Sequence, residues 1–192
     1  MSPLEAPDAY LYPRNSLRNR AGRVLWQLVR GLLFRPSPRP LHAWRAALLR
    51  LFGAQLGRRV HVYAGADIWA PWNLVCEDGA AIADGAVIYN VATVTLRSHA
   101  IVSQQAYVCT ATHDFDAAAF PMITAPITIG ANAWVCARAC VLPGVTVHDG
   151  AVLGLGSVAT ADLEPWQVYA GSPARAVRAR RQFLDSKEQI RQ

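Results

Sequence analysis

Residues 129–164, cut into sixes, read IGANAW, VCARAC, VLPGVT, VHDGAV, LGLGSV, ATADLE. The first position is aliphatic five times running: Ile129, Val135, Val141, Val147 and Leu153. The fifth is small or β-branched: Ala133, Ala139, Val145, Ala151 and Ser157. A looser version of the beat begins upstream at Cys76, Ile82 and Ile88, and again at Leu96, Val102 and Val108. A period of six matches neither the 3.6-residue helix nor a simple alternating strand. It fits a parallel β-helix in which each hexad forms one flat side of a triangular coil. Three hexads then close a turn, so that Val135 stacks against Leu153 and Ile129 against Val147. The aliphatic position points inward, the small position fits a tight corner, and Gly or Asn supplies turns with positive φ. A solenoid of this kind buries its core only by stacking neighbours, and its ends need covers. A β-sandwich of short strands is the alternative; five consecutive in-phase hexads argue against it.

The beat breaks once. The interval from Val108 to Ile129 reads as one coil of three hexads plus three further positions. It contains the stretch TATHDFD, with His113, Asp114, Phe115 and Asp116. A solenoid interrupted there extrudes a loop, and loops on rigid scaffolds are favoured places for function.

The ends differ from the middle. Leu17, Ala21, Val24, Leu28 and Leu32 recur at helical spacing over 16–34, with Arg18, Arg23 and Arg30 free to face elsewhere and Asn15 or Ser16 available as a cap. Pro36 to Pro40 ends that helix, and a second short helix is expected over 41–52 before Gly53. Ser172-Pro173 resembles a helix start, so a short basic helix is expected over 173–190. The expected organisation is a basic helical segment at 1–55, the β-helix at 56–172 and a C-terminal helix at 173–192. Residues 1–59 hold eleven Arg and two acids, whereas 60–192 hold eight basic and eleven acidic residues. The net charge of +6 therefore belongs to the N-terminal segment. Two uses of its apolar stripe stand open: covering the β-helix, or lying on an anionic membrane. No recognised nucleic-acid motif accompanies the charge. At 53% hydrophobic and 17% charged residues the chain is not disordered in character. No apolar run reaches the length of a membrane span, and the N-terminus does not read as a secretory signal. The four cysteines (Cys76, Cys109, Cys136, Cys140) form no C-x-x-C pair and read as free thiols of a reducing, cytoplasmic compartment.

The hexads, the Thr-His-Asp loop and the ending GSPARAVRAR together resemble the hexapeptide-repeat acyltransferases. The chain is similar in particular to the acetyltransferases assigned to colanic-acid and related exopolysaccharide biosynthesis. IWAPWNL, VSQQAYVCTATHDF, PITIGANAWV, VLPGVTV and YAGSPARAVR carry the likeness over most of the sequence. The resemblance implies a left-handed parallel β-helix, a homotrimer with active sites between subunits, and acetyl transfer from acetyl-CoA. It implies that His113 is the catalytic base, with Asn90 near the acceptor and Trp134 flanking the CoA arm. The N–H of Ala137 would meet the thioester carbonyl, and Thr160, Arg175 and Arg178 would lie near the nucleotide and phosphates. There are departures: Ala161 stands where relatives often have Lys, Cys136 where Gly is common, and Arg97-Ser98 where Gly-Asp is frequent.

A sugar hydroxyl is a poor nucleophile at neutral pH, so transfer to it gains from a base that removes its proton, a task suited to imidazole. Backbone N–H groups can hold the oxyanion of the tetrahedral intermediate. No Ser or Cys stands in a recognised nucleophile motif, so direct attack without an acyl-enzyme is expected. Asp114 could orient His113; another acid or a backbone carbonyl could do the same. A zinc site would need histidines paired closely in sequence. His42, His61, His99, His113 and His148 are scattered, with no close pair among them, and no metal is expected. The expected acceptor is a sugar, nucleotide-sugar or lipid-linked sugar of exopolysaccharide synthesis, with the enzyme in the cytoplasm or at the inner membrane face. Transfer to an amino sugar and a non-catalytic scaffolding role are the alternatives.

Overall fold

Every hexad-leading residue from Cys76 to Ala159 is at most 2% exposed, because these side chains form the inner wall of the fold. The computed structural model describes residues 17–182. It shows a three-faced solenoid of short parallel strands. The first face stacks Gln55–Leu56, Leu74–Cys76, Val94–Leu96, Ile127–Ile129 and Thr146–Val147. The second stacks His61–Val62, Ala81–Ile82, Ile101–Val102, Trp134–Val135, Val152–Leu153 and Gln167–Gly171. The third stacks Asp67–Ile68, Val87–Tyr89, Tyr107–Cys109, Cys140–Val141 and Val158–Ala159. Val135 pairs with Leu153 and Ile129 with Val147, as the hexads require. Each fully buried Val, Leu or Ile contributes roughly 1.5–3 kcal/mol, so the ladders and not any single contact hold the coil. The fourth hexad position makes the turn: Asn132, Arg138, Gly144, Gly150 and Gly156 all have φ between 57° and 82°.

The looseness of the upstream beat has a definite place. Leu56 pairs with Cys76, Ile82 with Val102 and Ile88 with Val108, so each of these coils is longer than three hexads by two positions. The extra pair falls at the corner between the third and first faces, first as the 3-10 turn Pro71–Asn73 and then around Asn90. The third visit to that corner is the loop. Trp134 pairs with Val152, three hexads on, whereas the step from Ile101 to its partner Trp134 exceeds three hexads by fifteen positions. The interruption is therefore fifteen positions and not three: Val108 to Ile129 spans one corner, not a whole coil. Inside it Ala111–His113 and Met122–Thr124 pair as an antiparallel hairpin.

At the N-terminal side α1 (Leu17–Val29) continues into a π-helical turn, Arg30–Phe34, and α2 (His42–Leu51) ends before Gly53 at φ 91°. The cap expected at Asn15 or Ser16 lies outside the described residues. Trp26 and Phe34 are fully buried; the Trp26 indole N–H donates to the Ile68 carbonyl at 2.7 Å and its ring packs on Phe34 and Phe52. Arg45 of α2 is also fully buried, donating to the carbonyls of Val62, Pro38 and Arg39 and to the Ser37 hydroxyl, which ties the proline turn to the second face.

One of the two uses left open for the stripe fails, and so does one expectation. The stripe of α1 does not cover the solenoid: Val24, Leu28 and Leu32 are 64%, 57% and 72% exposed. The opposite side packs instead, because Trp26 buries more area and its N–H finds a carbonyl. Arg23 stacks on Trp69 at 4.8 Å and Arg30 pairs with Asp67 at 3.1 Å on that same side. The helix expected from 173 is, in its described part, the strand Ala174–Ala179, antiparallel to Gln167–Gly171. A short Ala/Arg helix has no apolar stripe to bury, whereas the open edge of the second face offers unpaired backbone groups. Residues 183–192 lie outside the description.

Candidate active site

His113 closes the first strand of the loop hairpin, opposite Met122. Its Nδ1 lies 2.8 Å from the Phe120 carbonyl, and its ring stacks on the Phe120 ring at 4.8 Å and 13°. A carbonyl only accepts, so Nδ1 carries a hydrogen, and in the neutral ring the lone pair lies on Nε2. Phe120 has φ 44°, uncommon for a bulky residue, and it holds the imidazole with both its carbonyl and its ring. Asp114 does other work. Its N–H donates to the Pro121 carbonyl at 2.9 Å, and its carboxylate accepts from the N–H of Asp116 at 3.2 Å, closing the loop tip. Of the orienting groups left open by the sequence, the structure uses the backbone carbonyl.

Asn90 lies at the same corner but is fully buried. Its Oδ1 accepts from the Ala70 N–H at 3.0 Å and its Nδ2 donates to the Ala70 carbonyl at 2.7 Å, bracing the widened corner. Thr110 repeats this one coil on: its hydroxyl accepts from the Ala92 N–H and donates to the Tyr89 carbonyl, each at 3.0 Å. Sequence reasoning missed Thr110, the seat of the hairpin. The signal was its place one lengthened coil after Asn90, in step with the pairing of Ile88 and Val108.

The other candidates lie elsewhere. Trp134 stands on the outer side of the second face, 42% exposed, its indole N–H donating to the Ser103 hydroxyl at 2.7 Å. Strand register runs from Trp134 through Val152 and Val168 to Arg178, with Arg175 opposite Ala170 on the same outer side. Three strand spacings place Arg178 about 15 Å from Trp134. Neither arginine has a carboxylate partner among the described residues; each donates to a neighbouring carbonyl. Ala137 sits at the corner between the second and third faces. The equivalent N–H one hexad earlier, on Ala131, donates to the carboxylate of Asp149 on the next coil at 2.7 Å. Leu155 stands in that place for Ala137 and cannot accept, so the Ala137 N–H has no acceptor among the described residues. Thr160 is exposed just past the last strand of the third face.

The structure thus groups Trp134, Ala137, Arg175 and Arg178 around the second face, with His113 and Asn90 at a different corner. The length of one face of the coil, on the order of 15 Å at about 3.3 Å per residue, separates the corner of Ala137 from the corner that carries the hairpin. The nearby thiols are not activated: burial pushes the Cys136 and Cys140 thiols up, and Cys76, enclosed in the core, to about 12.

No family model matches the chain. It is 38% identical over 156 residues to WcaF of Escherichia coli (strain K12), a protein assigned to colanic acid biosynthesis as an acetyltransferase. That alignment covers 81% of this chain and 86% of WcaF. A maltose O-acetyltransferase from Clostridium difficile 630 superposes with a TM-score of 0.80 at 22% identity, over 89% of this chain and 92% of that one. A hexapeptide-repeat acetyltransferase from Vibrio cholerae O1 biovar eltor, solved with acetyl-coenzyme A, gives 0.79 at 23% identity, covering 89% and 93% of the two chains. With the left-handed β-helix of these structures and an aligned relative over most of its length, the chain belongs to the hexapeptide-repeat acetyltransferases.

Proposed function

We propose that this acetyltransferase moves an acetyl group from acetyl-CoA to the hydroxyl of a sugar, nucleotide-sugar or lipid-linked sugar of exopolysaccharide synthesis, by direct attack. The observation that carries the reading is the bond from His113 Nδ1–H to the Phe120 carbonyl. It leaves Nε2 as the proton acceptor at the mouth of the hairpin. The acceptor hydroxyl gives its proton to Nε2 as its oxygen bonds to the thioester carbon. The oxyanion so formed is held by the N–H of Ala137, which has no acceptor among the described residues. When the intermediate collapses, the C–S bond breaks and the imidazolium returns the proton to the departing thiolate. Trp134 flanks the pantetheine arm, and Thr160, Arg175 and Arg178 meet the nucleotide and phosphates. Asn90 supports the acceptor pocket through the corner it braces. Because base and cofactor groups occupy different corners of one chain, a working site joins the hairpin of one subunit to the second face of the next, in a homotrimer. The cytoplasm, which supplies acetyl-CoA, is the place of action.

Support comes from WcaF's assignment and from the Vibrio structure's bound acetyl-coenzyme A. Thiol release from acetyl-CoA, measured against a panel of sugars, nucleotide sugars and lipid-linked oligosaccharides with mass spectrometry of the product, tests the reaction. His113→Ala is expected to lower kcat about 10²–10⁴-fold without loss of fold. A folded variant with near-normal turnover would remove His113 from the mechanism.

A further inference from the structure

We infer that the outward side of α1 is a docking surface for an anionic lipid bilayer. Val24, Leu25, Leu28 and Leu32 share that side, 64%, 56%, 57% and 72% exposed. A groove of about 800 Å³, lined by Leu25, Leu51, Phe52 and Trp72, joins it to Leu51 at the end of α2, itself 78% exposed. On its other flank Val24 and Leu28 border a groove of about 590 Å³ together with Trp69, Arg20 and Arg23. A single exposed leucine carries no meaning, but a continuous strip of five marks an interaction surface. The helix is already anchored on its opposite side by Trp26, so the strip is not left over from a poorly packed core.

Charge selects the occupant. Between Leu17 and Ala66 the chain has ten arginines and no carboxylate. Arg20 precedes Val24 by one helical turn and Arg35 follows shortly after Leu32, both exposed. Among the described residues the solenoid's acids pair only with Arg30, through Asp67, and Arg39, through Asp84. A two-fold contact of this strip with its own counterpart would set two acid-free, arginine-rich segments against each other. An anionic bilayer satisfies both features: the leucines enter the apolar boundary while the guanidinium groups meet lipid phosphates. Among the described residues no helix is long and apolar enough to cross a membrane, so α1 lies in the surface plane.

The test is flotation of the full chain with vesicles of phosphatidylglycerol and phosphatidylcholine, and with phosphatidylcholine alone. The protein is expected to float with the first and not the second, and to be released as salt rises. Leu28→Glu combined with Leu32→Glu is expected to cut the partition about tenfold or more, with circular dichroism and solution mass unchanged. Arg20→Glu with Arg35→Glu, which leaves the apolar strip whole, is expected to abolish the preference for the anionic vesicle. Wild-type protein that stays unbound, or binds both vesicles equally, overturns the inference. So does a changed solution mass in the leucine variant, since the strip would then be a contact between copies. Neither acetyl-CoA nor an acceptor is needed, so the result stands apart from the transfer reaction.

Discussion

At the level of single residues, the candidate site rests on two backbone groups that no side-chain motif announces. The Phe120 carbonyl sets the tautomer of His113, and the N–H of Ala137 has no acceptor among the described residues, because Leu155 stands in the place of an acid. His113 is legible in the sequence as a break in a rhythm. Its partner is not, because any residue can offer a carbonyl and only the hairpin decides which one does. Asp114, the conspicuous neighbour, holds the loop tip instead. The proposed role of Ala137 can be isolated. Pro143 occupies the same third hexad position one hexad later, ahead of Gly144, so proline fits this turn. Ala137→Pro therefore removes the N–H with little disturbance of the coil. It is expected to keep the wild-type melting temperature and lower kcat about 10²–10³-fold; steady-state kinetics beside a thermal melt read both. Cys76 gives a pH prediction of definite sign. Its enclosure raises the folded thiol to about 12, above the unfolded value. As pH rises past the unfolded value the unfolded chain loses a proton that the folded chain keeps, so stability falls by up to about 1.4 kcal/mol per pH unit until the folded value is reached. Urea unfolding across alkaline pH should show this slope in wild type and a shallower one in Cys76→Ala, where the raised Cys136 and Cys140 thiols still contribute.

At the level of elements, the hexads are readable because an inward ladder repeats the same demand at every coil. The N-terminal helices are readable as helices, but the side that packs is not. Five aliphatic residues outnumber one Trp26, yet Trp26 combines more buried area with an N–H that reaches the Ile68 carbonyl. The C-terminal strand is hidden in the sequence because Ser-Pro followed by Ala and Arg is a local helix signal. The edge of the second face, which that signal does not contain, overrides it with backbone pairing. The turns make a graded prediction. Gly150 and Gly156 have nearly equal φ, 67° and 66°. A Cβ on Gly156 meets open space, whereas one on Gly150 overlaps the Trp166 ring. Gly156→Ala should cost about 1 kcal/mol from backbone strain alone. Gly150→Ala should cost clearly more, and differential scanning calorimetry of the pair would show it.

At the level of the whole molecule, separation of His113 from Ala137 within one chain leads to a complementation experiment. His113→Ala and Ala137→Pro subunits, each inactive alone, are unfolded, mixed equally and refolded together. If one site draws the hairpin from one subunit and the cofactor side from its neighbour, about a quarter of the sites regain both intact parts. Acetyl transfer near that fraction of wild type is the expected reading; a mixture as inactive as its components would place the site within one chain. The corner that carries the hairpin has a wider consequence. It is visited once per coil, and its length is not the same at every visit while the other two corners keep theirs. Stacking above and below fixes the register of the ladder, so an insertion there changes no inward residue, and closing a longer loop adds only a slowly growing entropy. On the proposed reading, acceptor choice can therefore diverge among descendants of one ancestor through gain or loss of residues at a single vertex, while the proposed cofactor side stays constant.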